Sequence, residues 1–131
     1  MNGPFLICKI PSGNFISYFR PEIHYDYKNR PYFSYRTGKP KEPVKHTYGG
    51  LLTENVVQFI AYEIMSQGLV RLENEGFTPA LTVHDEGVTE DLDDDTNLTL
   101  ERFKDILETP VSWAPELPVE VEVLKGYRYC K

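Results

Sequence analysis

One stretch narrows the fold more than any other: from Glu54 to Glu75 the apolar residues return at helical spacing. Leu52, Val56, Ile60 and Ile64 stand four apart, and Val57, Met65, Leu69 and Leu72 widen the stripe, so a long α-helix with one apolar side is predicted. Thr53 is the predicted cap, Glu54 suits the positive end of the helix dipole, and Gly76 can end the helix in the left-handed conformation. Gly68, inside the helix, costs about 0.8–1 kcal/mol relative to alanine unless another backbone packs on it. A sheet crossing there and simple tolerance both account for it.

Short β-like segments flank the helix, so the predicted class is α+β, with an antiparallel sheet packed against one long and one short helix. Phe5 to Lys9 and Asn14 to Phe19 read as two strands joined at Pro11-Ser12-Gly13. Residues 20–46 hold four of the ten prolines; Tyr32 to Arg36 reads as a third strand before a Thr37-Gly38 turn, and the rest as loop. Beyond the long helix, Thr99 to Leu107 has Leu100, Phe103 and Leu107 on one side of a short helix. Trp113 sits in a proline-bounded turn as a core anchor, and Val119 to Leu124 alternates as a final strand.

Between the helices, Leu81 to Glu90 forms two alternating arms around a His84-Asp85-Glu86 tip. A hard cation such as Mg²⁺ takes carboxylate oxygens, and in phosphoryl-transfer sites the protein supplies only one or two of them. A polar turn that merely meets water accounts for the same three residues. A multi-histidine phosphohydrolase site is disfavoured, because His24 and His46 stand in no ligand spacing. The acidic run Glu90 to Asp95 lacks the alternating ligands, central glycine and closing glutamate of an EF-hand and reads as a solvated loop.

Three segments in order, Thr47-Tyr48-Gly49-Gly50-Leu51-Leu52-Thr53-Glu54-Asn55-Val56-Val57-Gln58, then Val83-His84-Asp85-Glu86, then Trp113-Ala114-Pro115-Glu116-Leu117-Pro118, resemble the C-terminal part of bacteriophage-type family A DNA polymerases. The stretch Leu6 to Arg20, with Ile10-Pro11-Ser12-Gly13, is similar to that family's Leu-Pro-Ser-Gly strand pair. The resemblance covers essentially the whole chain. Gly126 to Lys131 looks like the family's carboxyl end, so material is expected to be missing only on the amino-terminal side.

The resemblance implies a single partial domain over residues 1–131, part of a polymerase palm, with a β-rich and loop-rich segment 1–46 and the helix, motif C hairpin, helix and strand in 47–131. It implies Asp85 as metal ligand and catalytic residue, Glu86 as an auxiliary catalytic carboxylate, and His84 as a contact to the primer terminus. Asn55 and Gln58, expected at the helix start, are implied DNA contacts. The family's motif A aspartate and its fingers helix are not found. Tyr25-Asp26-Tyr27, Lys39 and Lys41 are the nearest matches, but they lie among prolines and after the fingers in the family's order.

Two-metal phosphoryl transfer needs carboxylates flanking an ion pair about 3.5–4 Å apart. One hairpin cannot supply them, so the chain is expected to be inactive alone. Its implied partners are Mg²⁺, primer-template DNA, dNTP in the intact enzyme and an upstream polypeptide carrying motif A and the fingers. A missing palm strand would also leave apolar surface open to self-association. The alternative is a relic module that keeps the fold and binds DNA or protein without chemistry.

The chain departs from the pattern in places. Phage-type members commonly have Gln-Ala and Arg-Asp pairs where this chain has Gln58-Phe59 and Tyr62-Glu63, a lysine at the place of Leu51, and a bulkier residue at that of Gly87. These changes spare the metal ligand and weaken the expected grip on primer and template.

Charge is uneven: residues 1–50 hold eight Lys or Arg against three Asp or Glu, and residues 51–131 hold six against seventeen, for a net of −6. The basic third interleaves its cations with tyrosines, which suits phosphate contacts; a solvated loop surface accounts for it equally. No apolar run reaches bilayer length and no signal peptide is recognised; the resemblance to phage-type polymerases implies the cytoplasm of a bacterial host. Cys8 and Cys130 read as free thiols, with a disulfide joining the termini as the alternative.

Overall fold

In a computed structural model, which describes residues 4–38, 43–92 and 97–129, the chain is α+β with antiparallel sheets and two helices. It forms two compact units, Met1–Ile60 and Ala61–Lys131. Lys39, Lys41, Cys130 and the Asp93–Asp95 part of the acidic run lie outside the described residues.

The first unit is a four-stranded antiparallel sheet in the order β1 (Phe5–Lys9), β2 (Phe15–Tyr25), β3 (Pro31–Arg36), β4 (Lys45–Thr47), with the start of helix α1 (Gly49–Asn74). The β1–β2 turn closes through Gly13 N–H to the Ile10 carbonyl at 3.0 Å, with Gly13 at φ +94, a value that suits glycine. β2 runs six residues beyond the predicted Phe19. The extension comes with a bulge between Phe19 and Glu22, where Arg20 adopts φ 46 and the pairing resumes as Glu22 opposite Ser34. β4, in the stretch expected to be loop, adds Lys45, His46 and Thr47 opposite Tyr35, Ser34 and Phe33.

One sheet face is the interior. Tyr18 is 4% exposed, its ring packs edge-on against Phe33 at 5.4 Å and Tyr35 at 5.0 Å, and Thr47 is buried beside them. Asn55 Nδ2 donates to the Tyr18 hydroxyl at 3.2 Å and ties the helix to β2.

α1 begins five residues before the predicted Glu54. Tyr48, not Thr53, is the capping position: its carbonyl accepts from Leu52 N–H at 3.0 Å, while the Thr53 hydroxyl donates back to the Gly49 carbonyl at 3.0 Å. Glu54 therefore lies beyond the first turn, which holds no acidic residue. The other end is as predicted. Gly76, at φ +96, gives its N–H to Glu73 and Phe77 gives its N–H to Leu72, a Schellman closure whose apolar contact is the buried pair Leu72 and Phe77. The apolar stripe is imperfect, since Val57 is exposed.

The second unit holds the rest of α1, the hairpin β5 (Pro79–Val83) and β6 (Glu86–Thr89), and helix α2 (Leu100–Glu108). α2 starts at Thr99, whose side chain accepts from Arg102 N–H. Gly68 is explained here by neither a crossing sheet nor mere tolerance: a Cβ on it would come within 2.8 Å of Leu107 Cδ2, so α2 is the close neighbour. Phe77 and Phe103 pack edge to face at 5.3 Å, and Val111 is buried. Trp113 lies in a turn as expected, half-buried, with Nε1 buried and without a hydrogen-bond partner.

The predicted strand Val119–Leu124 is not formed. Its alternation is real, with Val119, Val121 and Val123 half-buried and their neighbours exposed, but no ladder forms and the Val121 N–H goes to Glu108 Oε1 at 2.9 Å. A period-two burial pattern needs only a surface on one side, whereas a strand needs a partner backbone.

Candidate functional site

The hairpin that carries His84, Asp85 and Glu86 is held from both ends. At its base, Glu90 N–H donates to the Thr78 carbonyl at 3.0 Å and Thr78 N–H donates to Asp91 Oδ1 at 2.8 Å, so the first acidic residues of the run beyond β6 close the ladder. A register shift between Pro79 and Leu81 accommodates the proline, and Val83 pairs with Glu86 across a two-residue tip. His84 takes φ 55, the positive value that a two-residue hairpin turn demands at its first central position.

Helix α1 supports β6 from one side. A Cβ on Gly87 would meet Leu69 Cδ2 at 2.9 Å, which gives the departure at this position a physical reason: strand and helix approach closely where there is no side chain. Glu86 is half-buried, and its Oε2 accepts from the Tyr129 hydroxyl at 2.6 Å. Sequence reasoning missed Tyr129, and no local signal could have found it, since it lies 43 residues away.

Asp85 is exposed at the tip and makes no hydrogen bond or ion pair among the described residues. The donor set therefore fits a hard cation only in part. It offers a free carboxylate, a second carboxylate already holding a hydroxyl, and an imidazole, and among the described residues no group of three acidic, histidine or cysteine side chains could hold a metal ion. Two surface depressions, one lined by Glu63, Ser66, Gln67, Val70 and Arg71 and the other by Lys104, Glu108 and Glu120–Val123, do not include the tip.

The remaining sequence-derived residues fall in the first unit. Asn55 and Gln58 lie in the second and third turns of α1, not at its start. Asn55 is half-buried and bonded to Tyr18, and Gln58 is exposed. Asp26 ties the β2–β3 turn: Oδ1 accepts from Lys28 N–H at 2.8 Å and Arg30 N–H at 2.9 Å, and Oδ2 pairs with the Arg30 guanidinium at 2.7 Å. The Arg30 amide above all, with further help from its side chain and the Lys28 amide, holds the Asp26 carboxyl below its ordinary value. No helix is long and apolar enough to cross a membrane, among the described residues.

The chain is 32% identical, over 120 residues and 89% of its length, to a DNA polymerase of Bacillus phage SP02. It spans 18% of the length of that protein. No protein-family model matches it. No solved structure matches it.

Proposed function

We propose that this chain is the C-terminal palm portion of a family A DNA-directed DNA polymerase, and that its hairpin supplies one of the two aspartates that hold catalytic Mg²⁺. The observation that carries this is Asp85: an exposed carboxylate with no protein partner among the described residues, at the tip of a turn fixed by its ladder and by α1, in a chain similar over most of its length to a phage DNA polymerase.

Asp85 holds the ion, and Glu86, kept in place by Tyr129, stands beside it as auxiliary ligand. When bound, Mg²⁺ would lower the pKa of the primer 3′ hydroxyl and neutralise the triphosphate. His84 contacts the primer terminus, and Asn55 and Gln58 contact DNA from their own unit. The other aspartate and the nucleotide-binding fingers come from an upstream polypeptide, so the isolated chain does not polymerise. Primer-template DNA, dNTP and that polypeptide are its partners, in the cytoplasm of a bacterial host.

Primer extension tests this directly. The chain alone should extend nothing, and mixing it with a polypeptide carrying motif A and the fingers should restore Mg²⁺-dependent synthesis that Asp85→Asn abolishes while the fold stays intact. Synthesis that survives Asp85→Asn, or no rescue by any such polypeptide, would leave the non-catalytic relic as the better account.

A further inference from the structure

The outward face of the four-stranded sheet carries more rings than a solvated surface requires. Residues directly opposite in antiparallel strands share a face. The pairs Phe5–Phe19, Phe19–Arg36, Glu22–Ser34, Ser34–His46, His24–Tyr32 and Lys9–Phe15 therefore line the side away from the Tyr18 interior.

Two ring clusters form on it. Phe5 and Phe19 lie 5.1 Å apart. His24 stacks on Tyr32 at 5.2 Å and 24°, and His46 completes the group at 6.1 Å from His24 and 5.8 Å from Tyr32. His24 Nε2 meets the buried Ser34 hydroxyl at 2.8 Å, which fixes the ring plane. Phe5, Ile7 and Phe15 on the same face are 44%, 57% and 58% exposed.

Cations accompany the rings. Lys9 and Arg36 share the face by register, and the Arg20 guanidinium lies over the Phe19 ring at 5.3 Å, with Glu22 as the one carboxylate among the described strand pairs of that face. The whole unit is basic, with eight Lys or Arg against four Asp or Glu in residues 1–60, while residues 61–131 hold six against sixteen.

We infer that this face binds single-stranded nucleic acid, with Phe5–Phe19 and His24–Tyr32–His46 as two stacking positions and Lys9, Arg20 and Arg36 as phosphate contacts. Every base offers a planar face to an aromatic ring, and a positive surface tracks the backbone, so rings and cations on one sheet suit this occupant. Only the general nucleic-acid role proposed above is needed; the hairpin metal is not.

The test is fluorescence anisotropy of the full chain with a labelled oligothymidine of about twelve nucleotides, against a duplex of equal length and against heparin. Tyr32→Ala, His24→Ala and Phe19→Ala should each weaken single-strand binding about fivefold or more, and Tyr32→Phe should retain it. Arg36→Glu should weaken binding and flatten its salt dependence. His46→Ala, at an exposed position, keeps the question answerable if a more buried ring proves necessary for folding. Absence of saturable binding, equal affinity for heparin, or indifference to both His46→Ala and Tyr32→Ala would overturn the inference. So would a dimer in light scattering that the same substitutions dissolve, since the face would then belong to a second copy. Failure of primer extension with single-strand binding intact bears only on the polymerase proposal, and loss of single-strand binding on Tyr32→Ala bears on this face.

Discussion

Gly68→Ala pits helix propensity against packing in a way that can be worked through. In an unobstructed helix the change gains about 0.8–1.0 kcal/mol. Here the new methyl would stand 2.8 Å from Leu107 Cδ2, short of ordinary contact. The neighbour is the end of a flexible side chain, so α2 or the Leu107 rotamer must give way, and overpacking of this kind costs about 1–3 kcal/mol. The net expectation is a loss of about 1 kcal/mol. Leu107→Ala removes the obstruction, and in that background the same Gly68→Ala change should stabilise by close to the full propensity gain. The coupling between the two positions is then about 1–3 kcal/mol. Urea unfolding followed by Trp113, the chain's single tryptophan and a member of the same unit, reads all four proteins of the cycle. If Gly68→Ala raised the midpoint equally with and without Leu107, the close approach of α2 to α1 would be refuted.

Further outcomes follow from other contacts. Gly76→Ala should cost about 1–2 kcal/mol by forcing a side chain into the left-handed region, visible as a lower urea midpoint. Thr99→Ala should cost about 1 kcal/mol and fray α2 first, seen as faster amide exchange from Leu100 to Phe103. Asp26, whose folded value is lowered from 3.8, contributes stability that is present above that value and lost as pH falls through the lowered one. The Lys28 and Arg30 amide signals should therefore titrate below 3.8 and cease to do so in Asp26→Asn, and a midpoint at or above 3.8 would count against the turn geometry.

The elements that sequence made legible are those whose signal is local. The β1–β2 hairpin, the β5–β6 turn, the Gly76 stop and the short helix α2 each rest on a few neighbouring residues, and each is present, α2 with Thr99 as its cap rather than its first residue. What was hidden depends on partners distant in sequence. The extension of β2 past Arg20 needs β3 alongside, β4 needs Phe33 and Tyr35, and Val119–Leu124 alternates against a surface without gaining a ladder. The early start of α1 defied capping preference because Tyr48 and the Gly49-Gly50 backbone begin the helix without a capping side chain. At the site, a polar turn at His84 and Asp85 was readable, whereas Glu86, expected at the tip, opens β6, and neither the hydroxyl on it nor the reason for Gly87 was readable.

The contact at Gly87 constrains how this hairpin can diverge. Because Leu69 Cδ2 stands where a methyl group at position 87 would come, enlarging position 87 obliges the Leu69 side chain to turn aside or to be trimmed. A bulkier residue after the acidic tip is therefore accommodated most easily beside a smaller one a turn before the buried Leu72.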